Sequence, residues 1–361
     1  MLARFLIVTL PFFIGLVWSA TLFLEYRRPD PARKMLAWFI LANTLLLMSR
    51  FLLILCEKDV FDLCRCMYIF FSLAVYPVGY LYVRRLTSPT MPQKKELWLL
   101  SPAVIASVAG MTAYFVKYVD WKPVLIFARV ILPIEVLLLA AFGQMAIRDY
   151  RRNLENYYSD TTGMGQKPMY RLMVVYVAGT LLRSIGIAAG LDLNSNIFII
   201  GIVSAFYSFI VFAISYVGSK ASFNAGHFAA ELKKEAAPAR TQRHDSNLRV
   251  QEVMTEQQLF LKPGLKITDV AMELGSNRTY VSEYINSRFG QSFSDYVNSL
   301  RVEYAQKLMA DSPGRDLVDI YTSSGFASEA AFFRNFKKFA SMPPNVYRCT
   351  VLEQDCNSRS K

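Results

Sequence analysis

GFASEAAFFRNFKKFASMPPNVYR, residues 325–348, reads as a turn followed by an amphipathic helix. Gly325-Phe326 makes the turn, and Ser328 is a good helix N-cap because its hydroxyl can accept from an orphan backbone N–H. Over Ser328–Lys338, Phe332 and Phe336 lie four apart and face a core, whereas Arg334, Lys337 and Lys338 face outward. Upstream, Asp316–Ser324 is a short helix, and Asp311-Ser312-Pro313-Gly314 breaks a longer one before it. That longer helix, Phe293–Met309, carries apolar or aromatic residues at 293, 296, 297, 300, 304 and 308.

The short-helix, turn, helix succession occurs once earlier. Val250, Val253, Met254, Gln257 and Leu261 give one helical face, which Pro263 and Gly264 end. Ile267–Leu274 makes a short helix stopped by Gly275, a residue suited to the left-handed turn past a helix end. In SNRTYVSEYINSRFG, residues 276–290, Val281, Tyr284, Ile285 and Phe289 are apolar, and the other face offers Arg278, Thr279, Ser282 and Glu283. Two short helices with a Gly-containing turn make a helix-turn-helix, whose second helix can enter the major groove of DNA. Two such units joined by a long helix are therefore expected over residues 250–348, with 349–361 as a tail.

Residues 325–348 resemble the signature of the AraC/XylS family of bacterial transcription regulators: Gly-Phe, a capping Ser, Phe-x-Arg-x-Phe-Lys and a closing Pro-x-x-Tyr-Arg. Upstream, FLKPGLKITDVAMELGSNRTYVSEYINSRFGQSFSDYVNSLRVEYAQKLM, residues 260–309, resembles that family's first helix-turn-helix and linking helix. The resemblance covers about 250–348 and nothing before it. It implies two reading helices in successive major grooves of double-stranded DNA. On that reading Thr279, Ser282, Glu283 and Arg334 meet base edges, and Arg278, Lys337 and Lys338 meet phosphates. Two departures stand out. Ser341 replaces the usual Gly, and Ala330 and Ala331 stand where polar residues are common, which shifts readout towards thymine methyl groups.

The remaining two thirds of the chain has a different character. At 361 residues the length suggests about two domains. Over half of the residues are apolar or aromatic (53%) and 19% are charged, unusual for a soluble protein. Residues 1–249 hold 27 Lys and Arg against 15 Asp and Glu, whereas residues 250–361 hold 13 of each. The whole net charge of +12 therefore belongs to the apolar part and its linker, as a topology signal rather than a DNA-binding one.

A bilayer core of about 30 Å needs about 20 mostly apolar helical residues. Seven stretches qualify, near 4–25, 35–55, 63–83, 98–119, 124–147, 172–191 and 197–217, with Arg65 interrupting the third and Arg183 the sixth. The first lacks a small-residue cleavage pattern and reads as a retained span. Basic residues crowd alternate loops: Arg27, Arg28, Arg33 and Lys34; then Arg84, Arg85, Lys94 and Lys95; then Arg148, Arg151, Arg152, Lys167 and Arg171. The intervening loops are poor in them, with Lys58 among Glu57, Asp59 and Asp62, Lys122 beside Asp120, and then only Asp192. This alternation puts the N-terminus outside a bacterial inner membrane and everything after 218 in the cytoplasm. The expected organisation is all-α: a seven-helix transmembrane bundle over 1–217, a linker over 218–249, and the double helix-turn-helix domain over 250–348.

Arg50, Arg65, Arg129 and Arg183 fall towards the outer ends of their spans. Charges there face a bundle interior or a watery cavity. They suggest an outward-open pocket for an anionic small-molecule ligand, with Glu135 deeper as a partner; the plainer reading is snorkelling to lipid phosphates or pairing with Glu135 or Asp192. Cys56, Cys64 and Cys66 share that edge, where Cys56 could bridge to either of the others. His227 and His244 give no metal-ligand spacing, and no cofactor loop, nucleophile motif or carboxylate pair stands out, so neither metal, cofactor nor enzyme activity is expected. DNA, membrane lipid, the anionic ligand and a second copy of the chain are the expected partners. The alternative is a transporter or membrane enzyme with a regulatory DNA-binding tail.

Overall fold

The computed structural model describes residues 2–24, 31–55, 58–87, 94–116, 120–161, 167–188, 201–218 and 250–359. Among these, the secondary structure is helical throughout, apart from an isolated antiparallel bridge between Tyr158 and Lys266. The chain divides into two compact units. One holds residues 1–149 and 166–234, the other residues 150–165 and 235–361.

The first unit contains α1 (Leu2–Leu24), α2 (Pro31–Leu55), α3 (Lys58–Thr87), a 3-10 turn over Lys94–Leu100 leading into α4 (Ser101–Val116), most of α5 (Lys122–Tyr157), α6 (Lys167–Ala188) and α7 (Gly201–Gly218). The helices overlap the seven expected segments, but their ends differ. Five of them, α2, α3, α4 with its 3-10 lead, α5 and α7, are long and apolar enough to cross a membrane. Helix α6 is not among these, and Lys167, Arg171 and Arg183 dilute its apolar content. In α1 the apolar helix within that search is the shorter Phe12–Leu24.

What these helices bury and expose is the reverse of a soluble bundle's pattern. Leu36, Phe39 and Ile40 of α2 and Leu73, Tyr82 and Leu86 of α3 are buried. Ile69, Leu73 and Ala74 pack with Ala103, Ala106 and Val124 of the following helices. Small residues thus line the inward side of α4, while Val104, Ile105, Val108 and Phe115 lie exposed. Helix α5 likewise exposes Ile126, Val130, Ile134, Leu137, Leu138 and Phe142. An apolar face of that extent is far larger than water tolerates. At the opposite end of α3, buried Glu96 accepts from Arg84 Nε and Arg85 Nη2, each at 3.2 Å. Arg84 and Arg85 are therefore helical and ion-paired, not loop charges.

The second unit contains a wide helical turn at Glu252–Glu256, a 3-10 turn at Leu259–Leu261, and then α8 (Ile267–Glu273), α9 (Arg278–Phe289), α10 (Phe293–Asp311), α11 (Leu317–Ser323), α12 (Glu329–Ala340) and α13 (Pro344–Arg359). The single helix expected from Val250 to Leu261 is broken at Gln258, whose φ of 53° is left-handed. Caps fix the other starts: Asn277 Oδ1 accepts from Tyr280 N, Ser292 Oγ from Asp295 N and Ser328 Oγ from Ala331 N. The core of the second half gathers Val302, Ala305, Met309, Ile320, Phe326, Phe332 and Phe336. Residues 349–359, expected as a tail, continue α13 as helix.

Candidate nucleic-acid interface and an arginine-lined cavity

In the second unit the short helix α8 is followed by a left-handed turn at Gly275 (φ 58°) and by α9; α11 is followed by Gly325 (φ 79°) and by α12. Gly325 admits no side chain, since a Cβ there would stand 2.5 Å from the Leu261 carbonyl oxygen. Its close approach ties the turn of the second arrangement to the start of the first.

Helix α9 carries Arg278, Thr279, Ser282 and Glu283. Thr279 and Glu283 are exposed, and Arg278 and Ser282 are half-buried. Asn286, which the sequence reading did not single out, is exposed one turn further along the same stripe and donates to the Ser282 carbonyl at 2.9 Å. The i, i+4, i+7 spacing from Thr279 was the signal for it. On α12, Arg334, Lys337 and Lys338 are all exposed. Lys338 Nζ donates to Asp295 Oδ1 at 2.6 Å, so a phosphate contact by Lys338 has to compete with that ion pair. Ala330 is exposed, but Ala331 is buried in the core and offers no methyl to a base.

One buried cation holds this unit together. Arg301 on α10 is fully buried; its Nε donates to the Phe260 carbonyl and its Nη2 to the Lys262 carbonyl, both at 2.7 Å. Its guanidinium also lies 5.7 Å from the Phe326 ring centroid. Burial pushes Arg301 down to about 10, against Asp160, whose carboxylate raises it, so the group stays charged at neutral pH. The stripe expected through 300, 304 and 308 is displaced by one residue: Val297, Arg301, Ala305 and Met309 are the buried positions.

The same unit includes the end of α5 and the residues after it. Tyr157, Tyr158 and Ser159 are buried. Ser159 donates its N–H to the Leu265 carbonyl at 3.0 Å, and its own carbonyl accepts from Ser294 Oγ (3.0 Å) and Asn298 Nδ2 (2.8 Å). The expected span ended at 147, but α5 runs ten residues further, and these last turns are built into the second unit.

In the first unit, a cavity of about 780 Å³ is lined by Arg50, Arg65, Arg129 and Arg183 together. Arg183 Nη2 donates to Tyr68 Oη at 2.6 Å, and its buried Nε makes no hydrogen bond. Arg65 is more fully occupied: it pairs with Asp62 at 3.0 Å and stacks over the Phe61 and Trp121 rings. Glu135 is not in the lining. It follows Arg129 by six residues, ~9 Å along the helix axis, beyond Leu132, the deepest lining residue of α5; its buried Oε2 has no partner. Cys64 and Cys66 are buried on α3, and Cys56 lies outside the described residues, as do His227 and His244.

Comparison with known proteins bears on the second unit alone. Residues 270–349 match a family described as a helix-turn-helix domain. An uncharacterized HTH-type transcriptional regulator of Staphylococcus aureus is 28% identical over 100 residues, 28% of this chain and 13% of that protein. The melibiose operon regulatory protein of Escherichia coli is 27% identical over 84 residues, 23% of this chain and 28% of that protein. A solved structure of a protein of unknown function from Listeria innocua is 28% identical, covering 28% of this chain and 95% of that one, with a TM-score of 0.26. The chain thus spans well under a third of the length of the curated relatives it matches. Its C-terminal region is a helix-turn-helix domain of the AraC type, similar to those of transcriptional regulators.

Proposed function

We propose that the chain is a membrane-embedded, one-component transcription regulator, with seven spans, an outside N-terminus and a cytoplasmic double helix-turn-helix domain. One observation carries this reading: a helix-turn-helix domain with exposed polar second helices shares a chain with helices whose exposed faces are apolar. Helices α9 and α12 are its two reading helices. Thr279, Ser282, Glu283 and Arg334 meet bases, and Arg278 and Lys337, with Lys338 once released from Asp295, meet phosphates. Because residues 250–361 are charge-neutral, a single domain gains little from phosphate neutralisation, which favours binding as a pair of chains.

Signal transfer has a covalent route in α5. Its early turns contribute Leu125, Ala128, Arg129 and Leu132 to the cavity lining, and its last turns belong to the unit that binds DNA. A ligand that favours one position of α5 therefore biases the Ser159 seam, as any ligand must that binds two states unequally. The linker from α7, the route the sequence suggested, lies outside the described residues.

Genome-wide occupancy of the tagged full-length protein, recovered from the membrane fraction, tests the proposal. Discrete sites are expected, and Arg334→Ala removes roughly 1–3 kcal/mol of base discrimination and so most of the enrichment. Absence of enriched sites under several growth conditions contradicts the regulator reading and favours a transporter built around the cavity.

A further inference from the structure

Four arginines line the cavity, and no aspartate or glutamate does. They also share one end of it. Arg50 lies near the C-terminal end of α2 and Arg183 near that of α6; Arg65 and Arg129 lie near the N-terminal ends of α3 and α5. Arg50 and Arg183 stand within electrostatic reach of each other and of Tyr68 and Tyr207. Like charges gathered among apolar helices repel and are costly to desolvate, so an arrangement of this kind calls for an anion.

Away from the arginines the lining changes. The lining residues of α2 run from Ile40 to Leu53, one helical face ~20 Å long. Along that length the wall becomes apolar and aromatic: Ile14 and Trp18 of α1, Ile40 of α2, and Phe209 and Phe212 of α7. Trp18 and Phe212 pack with ring centroids 5.2 Å apart. A tyrosine network divides the two ends. Tyr176 donates to Asn43 Oδ1 at 2.6 Å and Tyr76 to Thr180 Oγ1 at 2.7 Å, so these hydroxyls are already committed to the protein. Arg183 Nε is not, and it remains a donor beside the lining.

A small hydrophilic anion would leave the apolar length to water. A neutral apolar molecule would leave the arginines without counter-charge. The cavity's volume falls within the ~300–1,000 Å³ typical of small-molecule sites. We infer that the cavity binds a single-chain amphiphilic anion, its carboxylate or phosphate head on Arg50 and Arg183 and its tail along α1, α2 and α7. This inference rests on the sensing role proposed above and gives that role its ligand class. Guanidinium groups hold such heads through charge-assisted, often bidentate hydrogen bonds.

The test uses full-length protein in phosphatidylcholine nanodiscs and radiolabelled dodecanoate, without DNA. Saturable binding is expected, displaced by dodecyl phosphate at similar concentration, at least ~10-fold less well by dodecanol, and not by dodecyltrimethylammonium or inorganic phosphate. Arg183→Gln should weaken binding at least ~10-fold and Arg183→Lys much less, because the lysine keeps the charge. If dodecanol displaces as well as dodecyl phosphate, or if no saturable binding occurs, the inference is overturned, whatever the variants do. Equal displacement by inorganic phosphate also overturns it, since the tail would then be irrelevant. Adding phosphatidylglycerol to the nanodiscs separates two sources of the ligand: competition identifies a bilayer lipid, no competition a free amphiphile, and both keep the anionic class. Dodecanoate binding that leaves DNA occupancy unchanged preserves the site and removes the sensing role; failure to bind, with DNA sites intact, does the opposite.

Discussion

Arg301 and Arg183 show two ways of placing a guanidinium inside a protein. Arg301 is sealed within the C-terminal unit, with no side-chain nitrogen left buried and unpartnered and two main-chain carbonyls to hold it. Arg183, among the apolar helices, spends one nitrogen on Tyr68 and leaves Nε without a bond beside a cavity. A buried charge whose donors all meet fixed acceptors is part of the architecture. A charge beside empty space with a donor to spare awaits a ligand. The C-terminal unit has closed its polar accounts and the membrane unit has not, which is why one reads as a reader of DNA and the other as a receptor.

The largest expected effect is on the closed side. Arg301→Ala strands the Phe260 and Lys262 carbonyls and opens a void, at a cost of about 3 kcal/mol or more. Hydrogen exchange on the full-length protein should show protection lost across α8 to α12. If Arg301→Ala leaves that protection unchanged, the contrast with Arg183 fails. Gly325→Ala comes next, because it combines a left-handed φ with a Cβ against the Leu261 carbonyl, and about 2 kcal/mol is expected from the strain. The same exchange measurement reads it, with loss centred on α11 and α12.

Asn298→Ala removes one of two bonds to the Ser159 carbonyl and should cost about 1 kcal/mol. Its sharper consequence is functional: exchange at Ser159 and Asp160 rises, and ligand-dependent changes in DNA occupancy shrink while basal binding persists. Equal ligand response in Asn298→Ala would remove α5 as the signal route. Ser341→Gly is the smallest, a gain of up to about 1 kcal/mol, since Ser341 sits at φ 61° where glycine carries no Cβ penalty. Thermal unfolding of the full-length protein should show the rise in the C-terminal transition alone.

The C-terminal unit was legible in the sequence because its punctuation is local. Ser328 caps α12, Gly275 and Gly325 make the turns, and Phe332 and Phe336 are core. Arg301 was not legible, because carbonyl partners leave no side-chain signature and an arginine interrupts an apolar stripe. Reading the stripe through Leu300 and Tyr304 instead put it one residue out of phase. In the apolar region the four arginines were legible as outliers against their surroundings, and the structure gathers all four around one cavity. Glu135 was drawn in by its rarity alone, and its axial distance from Arg129 excludes it from the lining. The run of α5 to Tyr157 was hidden because its polar last turns, RDYRRNLENY, look like a loop when hydropathy is the guide.

The central claim is that one chain holds a bilayer and a specific DNA sequence at once. The most direct test is co-sedimentation of full-length protein in nanodiscs with DNA fragments recovered by occupancy mapping, beside scrambled fragments and the Arg334→Ala variant. The account predicts that nanodiscs carrying the protein retain the recovered fragment over the scrambled one, and that Arg334→Ala abolishes the preference. Equal retention of both fragments, or none with intact protein in the disc, would contradict it.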